Sequence, residues 1–128
     1  MKNNIIKNKS FDFAIRIVKL YQYLTTEKKE FTLSKQLLRS GTSIGAMVRE
    51  AEHAESKNDF IHKFAIAQKE ANEAVYWLEL LKATGYLSEK EFENISSDSI
   101  AILKLITSIL KTTKKQILSK QVPAEIHN

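Results

Sequence analysis

Turn formers are nearly missing from this chain: it holds three glycines and one proline in 128 residues. A fold of many short strands needs such punctuation every ~8–12 residues, so helices must carry the structure. With 43% hydrophobic and 27% charged residues, the composition is that of one soluble globular domain. A chain of this size hides about two-thirds of its unfolded surface on folding, enough for a core without staples. Cysteine is absent, which excludes a disulfide framework, a thiolate metal site and a cysteine nucleophile, and fits a cytoplasmic protein. No run approaches the ~18 apolar residues that span a bilayer. Met1–Lys9 is Asn/Lys-rich and has no signal-peptide core.

Apolar residues recur at helical spacing in four segments. Ser10 is the expected cap of a first helix, Ser10–Thr26, with Phe11, Ala14, Ile15, Val18, Tyr21 and Leu24 turned inward. A second helix, capped by Thr32 or Ser34 and ending at Ser56, carries Leu33, Leu37, Ile44, Val48 and Ala51. Ser56-Lys57-Asn58-Asp59 has the form of a capping box with Asp in the usual Glu place, and opens a third helix that runs to about Thr84, where Gly85 supplies a positive φ. Ser88-Glu89-Lys90-Glu91 is a full capping box for a fourth helix, about Glu89 to Leu118, with Phe92, Ile95, Ile100, Leu103, Ile106, Ile109, Leu110 and Ile117 apolar. The expected organisation is a basic tail at 1–9, a bundle at 10–118 and a loose tail at 119–128. Links this short join antiparallel neighbours, so the fold class is all-α, an up-down-up-down four-helix bundle.

The net charge of +5 is unevenly spread. Met1–Lys9 and Ser99–Lys120 contain eight lysines and no acid; the rest of the chain holds the other 12 of 20 basic residues against all 15 acids. Antiparallel packing brings Lys2, Lys7, Lys9, Lys57, Lys111, Lys114, Lys115 and Lys120 to one pole. Lys7, Lys9, Lys111, Lys114 and Lys115 are the candidate phosphate contacts, and Arg39 and Lys35 are weaker ones near the opposite pole. The alternative reading is lysine placed for solubility and for the negative end of a helix dipole.

Helix three carries two stripes at ~100° per residue. Phe60, Phe64, Ala67, Ala71, Ala74 and Leu78 form the core stripe. Ile66, Trp77 and Leu80, with Tyr76 beside them, lie on a second arc and are the expected subunit contact. Gly41 and Gly45 fall inside helix two, where each costs about 1 kcal/mol relative to alanine; the thin segment from Ser40 to Ala46 points to close helix approach.

Glu50-Ala51-Glu52-His53 and Asp59-Phe60-Ile61-His62 have the spacing of dinuclear-carboxylate half-motifs, but His53 and His62 lie away from the core stripes and helix four offers lysines there. No metal or cofactor is expected. Arg49 and His53, one turn apart, would suit a helical ribonuclease, although the three residues between them are fewer than the four to six of the nucleotide-binding type. The expectation is a protein that is not an enzyme.

The string from Gln36 to Ala46, followed by Arg49-Glu50-Ala51, Glu55 to Phe60, Ile66 to Glu73, Tyr76 to Leu81 and Thr84 to Leu87, resembles the four-helix-bundle family encoded in intervening sequences of bacterial 23S rRNA genes, also called the S23 ribosomal protein family. The resemblance covers about Phe11 to Lys115, with Met47 where the family often has asparagine. It implies an antiparallel bundle that assembles as a homopentamer and has no established catalysis. It is similar, too, to the accessory proteins of diversity-generating retroelements, which implies RNA or an RNA–DNA intermediate and a reverse transcriptase as partners. The resulting expectation is an oligomeric, non-enzymatic protein that binds structured RNA or other nucleic acid through a basic pole, with no membrane partner. The alternative is a protein-interaction adaptor without direct nucleic-acid binding.

Overall fold

The computed structural model describes the backbone of residues 2–126 and the side chains of residues 5–120. Four helices follow one another: α1 (Lys2–Thr26), α2 (Leu33–Ala51), α3 (Lys57–Ala83) and α4 (Glu89–Ile126). α1 packs on α2 and α4, and α3 packs on α2 and α4; among the described residues no diagonal pair reaches backbone contact. Cross-links between helices show the directions. Lys7 at the start of α1 meets Glu52 just past α2, Lys63 early in α3 meets Glu50 late in α2, and Lys82 late in α3 meets Glu89 at the start of α4. Neighbours are antiparallel, and the molecule is the expected all-α four-helix bundle.

Local chemistry sets three of the boundaries. The Ser56 hydroxyl accepts the Asp59 N–H at 3.0 Å, and the Asp59 carboxylate accepts the Glu55 N–H at 3.2 Å. At the start of α4 the reciprocal box is complete: the Ser88 hydroxyl accepts the Glu91 N–H at 3.1 Å, and the Glu91 carboxylate accepts the Ser88 N–H at 2.8 Å. Gly85 has φ +87°, and the Tyr86 N–H returns to the Leu81 carbonyl at 2.9 Å, which ends α3.

The start of α2 differs from expectation. Thr32 is the N-cap residue, but neither its side chain nor that of Ser34 caps the helix. Glu30 does so from outside: its carboxylate accepts the N–H groups of Thr32 at 3.1 Å, Leu33 at 3.0 Å and Ser34 at 2.7 Å. Lys29 takes φ +55°, and the Glu30 N–H closes onto the Leu24 carbonyl at 3.0 Å, so the chain folds back and lays Glu30 over the helix end. Burial acts to raise the Glu30 pKa, yet the N–H groups of Leu33, Ser34 and Thr32 and the Ser34 hydroxyl outweigh it and hold the carboxyl below its ordinary value.

Helix one corrects the expectation most. α1 begins at Lys2, so residues 2–9 continue the helix instead of forming a tail. Ser10 is no cap; it is buried in mid-helix, and its hydroxyl donates to the Lys7 carbonyl at 3.2 Å. The inward stripe is Ile6, Phe13, Ile17 and Leu24, while Phe11, Ile15 and Val18 stand 50%, 41% and 38% exposed. The cause is the contact with α2. A Cβ on Gly41 would lie 2.8 Å from the Ile17 side chain, and one on Gly45 would lie 3.4 Å from the Ser10 carbonyl oxygen. The thin stretch of α2 therefore receives Ser10 and Ile17, and that rotation carries Phe11, Ile15 and Val18 outward. In α4 the same kind of shift puts Ile102 in the core and leaves Ile100 48% exposed. α4 also continues past the expected stop at Leu118, to Ile126.

Three outcomes are expected. Gly41→Ala should destabilise the protein by about 1–3 kcal/mol despite better helix propensity, because the β-branched Ile17 cannot swing its methyl groups away. Gly45→Ala, at ordinary contact distance, should gain about 0.5–1 kcal/mol; urea unfolding of the two variants checks the opposite signs. For Glu30, a depressed folded-state pKa means that its contribution is complete above the unfolded value, about 4.3, and is lost as pH falls through the lower folded-state pKa. Glu30→Ala should cost about 2 kcal/mol at neutral pH, and thermal melts should show a smaller loss for the variant than for the wild type as pH drops through that window.

Candidate nucleic-acid interface

The bundle topology brings the start of α1, the end of α2, the start of α3 and the end of α4 to one pole, but the charges there are not uniform. Glu50, Glu52, Glu55 and Asp59 gather around the α2–α3 turn. Lys7 donates to Glu52 at 3.3 Å, and so its charge is largely spent within the chain. Lys9 shares a small recess with Asp12 and Asp98. The side chain of Lys2 lies outside the described residues.

The end of α4 is different. After Asp98 this helix carries no acid until Glu125, and Lys111, Lys114, Lys115 and Lys120 are all exposed. Lys115 and Lys120 line one shallow depression together with Lys57 from the start of α3, and Thr112, Gln116 and Ser119 complete its wall. The Lys57 ammonium donates to the Gln116 side-chain oxygen at 3.4 Å. The Lys120 ammonium beside it lowers the Lys57 pKa below the ordinary lysine value, with a smaller effect of lost hydration. Two ammonium groups thus lie close together with no carboxylate among the described residues that line the depression. Lys57 and Lys120 extend the expected site. Antiparallel packing placed both at this pole but not among the phosphate contacts, since their meeting depends on how far α4 runs past the α3 N-terminus.

Of the weaker candidates, Lys35 is exposed and Arg39 is committed elsewhere. Its guanidinium reaches Glu73 at 2.5 Å and Glu70 at 2.9 Å on α3. The bond to Glu73 raises the Arg39 pKa and, reciprocally, holds the Glu73 carboxyl below its usual range.

The expected subunit-contact residues divide. Ile66, Trp77 and Leu80 are half-buried on the flank of α3 that carries Glu70 and Glu73, the partners of Arg39 on α2. Trp77 packs on the core and meets the Tyr76 ring edge-to-face at 5.0 Å. Its indole N–H is sealed from solvent without a well-formed hydrogen bond, and its positive edge adds weakly to the ionisation of Glu73. Tyr76 alone of the four is exposed, at 55%. The larger exposed apolar surface is the Phe11–Ile15–Val18 stripe of α1, over one end of which the Arg49 guanidinium rests, 5.0 Å from the Phe11 ring centre. The signal for it was present in the sequence as a second apolar stripe in helix one, competing with Ile6, Phe13 and Ile17.

Arg49 and His53 share a shallow recess with Glu50, Glu55, Asp59 and Lys63. The Arg49 guanidinium lies over the Phe11 ring, and Glu50 is bound to Lys63 at 3.0 Å. Among the described residues no three His, Asp or Glu side chains converge on a possible metal position, and no helix is long and apolar enough to cross a membrane.

A search of curated proteins returned no match. Among solved structures, the chain is similar to a protein of unknown function from the S23 ribosomal protein family of Bacteroides thetaiotaomicron VPI-5482, with a TM-score of 0.86 and 58% identity over 87% of this chain and 99% of that one. The family model for the 23S rRNA-intervening sequence protein matches residues 2–108. By that match and that neighbour, the chain belongs to the 23S rRNA-intervening sequence protein family.

Proposed function

We propose that this protein is a non-enzymatic, self-assembling helical bundle that holds structured RNA or another nucleic acid by its phosphates at the end of α4. The observation that carries this reading is the convergence of Lys57, Lys115 and Lys120 with no acid among the described residues beside them, flanked by exposed Lys111 and Lys114. Ammonium groups held close together repel one another. An entering phosphodiester relieves that repulsion and releases counterions, so affinity should fall steeply with salt. Among the described residues the depression has no base-reading pattern: Thr112, Gln116 and Ser119 offer hydrogen bonds, but no aromatic side chain lines it. Backbone and shape recognition follow.

Self-assembly is the second part of the proposal. α1 and α3 occupy diagonal corners of the bundle, so the Phe11–Ile15–Val18 stripe and Tyr76 face different directions. Two unlike patches on different sides suit a head-to-tail contact that closes into a ring better than a two-fold dimer, in keeping with the homopentamer that the family resemblance implies. Each subunit then adds its α4 end to a shared field that a single copy cannot generate.

Two measurements test this. Reversal of Lys57, Lys115 and Lys120 to glutamate should abolish retention of an RNA hairpin in low-salt filter binding, whereas Lys7→Glu should change it little; unchanged retention by the triple variant removes the α4 end as the site. If the wild-type protein retains no RNA at any salt, the adaptor reading replaces this one. Replacing Phe11, Ile15 and Val18 together by serine should lower the particle mass in light scattering, and an unaltered mass sinks the α1 contact.

A further inference from the structure

A second site lies away from the lysine pole, in the cleft between α1 and the first half of α4. Its floor is apolar: Leu20 and Tyr23 from α1, with Leu87 and Ile95, both nearly inaccessible, from the other side. One end is closed by Arg16, whose guanidinium is held by Asp98 and, at 2.5 Å, by the Asn94 side-chain oxygen. The Glu91 carboxylate at the rim is occupied by the Ser88 N–H at 2.8 Å. Arg16 is therefore paired, and Glu91 is engaged by the backbone while keeping its negative charge at the rim, so the lining as a whole is net positive. Lys19 on α1 and Lys90 on α4 remain, one on each helix, both exposed and with no carboxylate partner among the described residues. The cleft has a volume of about 460 Å³, within the ~300–1,000 Å³ typical of small-molecule sites.

An apolar floor between two unpaired ammonium groups defines the chemistry of its occupant. A purely apolar molecule would leave the ammonium groups without a partner, and a simple inorganic anion would leave the floor wet. We propose that the α1–α4 cleft binds an amphipathic organic anion, with an apolar body of one or two rings lying on Leu20, Tyr23, Leu87 and Ile95 and one carboxylate, sulfonate or phosphate group held between Lys19 and Lys90. The proposal stands apart from nucleic-acid binding, since none of these residues belongs to the α4 end.

The probe is anilinonaphthalene sulfonate, followed by its fluorescence on titration with the full-length protein. The double variant Lys19→Glu/Lys90→Glu should bind the dye about tenfold or more weakly, with unchanged helicity, because two charge-assisted contacts become repulsive. Lys19→Arg/Lys90→Arg should restore binding to near the wild-type level. The uncharged N-phenylnaphthylamine, with the same rings and no sulfonate, should bind the wild-type protein about tenfold more weakly than the dye and be indifferent to the lysine variants. Dye binding that survives the double glutamate variant but is lost on replacing Phe11, Ile15 and Val18 by serine overturns the proposal, since the dye would then be reporting the exposed stripe of α1. Equal affinity for the charged and uncharged probes overturns it as well.

Discussion

The approach of α1 to α2 at Gly41 is the contact on which the rest of the arrangement depends. With no Cβ at that position the Ile17 side chain nests against the α2 backbone, and a helix resting that closely on its neighbour has little freedom to rotate. Its rotation decides which of two apolar stripes enters the core. Ile6, Phe13, Ile17 and Leu24 go in; Phe11, Ile15 and Val18 stay out. The same rotation turns Lys7 toward Glu52 and Arg16 toward Asp98. Glycine inside a helix is unfavourable by itself, so the benefit must come from packing, and here that packing also determines what the surface presents.

Electrostatics then sorts the cations into two populations. Lys7, Arg16, Arg39, Lys63 and Lys82 lie along seams between helices, each beside an acid on the adjoining helix or, for Lys7, at its C-cap. Exposed pairs of this kind add little stability individually; their consequence is to cancel charge over most of the bundle. Cancellation fails most where acids run out, along α4 between Asp98 and Glu125. The acids at the same pole are absorbed by the α2–α3 turn, where Asp59 works as a cap and Glu50 and Glu52 hold lysines. A +5 average thus becomes, among the described residues, a cluster without acids on one side of one pole.

Much of this was legible in the residues, and the failures share one cause. The number of helices, their antiparallel order, the boxes at Ser56 and Ser88 and the positive φ at Gly85 follow from short-range chemistry, which spacing in a sequence records directly. The core stripes of α2 and α3 were legible because one face of each is plainly the more apolar or the smaller. α1 presented two stripes of similar strength, and only the neighbouring helix decides between them. The Glu30 cap was obscure for a related reason: it depends on Lys29 adopting a left-handed conformation that nothing in Glu27-Lys28-Lys29-Glu30 advertises. For the site, the acid-free end of α4 was legible, but pairing of Lys7 by Glu52 and recruitment of Lys57 by Lys120 are matters of where helices end in space. Tertiary placement, not composition, turns a lysine into a free charge or a spent one.

In the proposed function, assembly and polyanion binding support each other. A single cluster of three lysines competes poorly with its own counterions at ordinary salt, where charges farther apart than about 8 Å are largely screened. Repetition of the cluster on a rigid ring lets a long polyanion engage several copies at once, and each contact after the first proceeds at a high effective concentration. Rigidity is what makes that gain available, and the helical α4 supplies it: it continues as one helix to Ile126, beyond the α3 N-terminus with which it forms the depression. The apolar stripe left outside by the Gly41 contact would then hold the copies in register. On this proposal the close approach of α1 to α2 at Gly41 would set both the surface offered for assembly and, through assembly, the strength of the cationic site at the far end of α4.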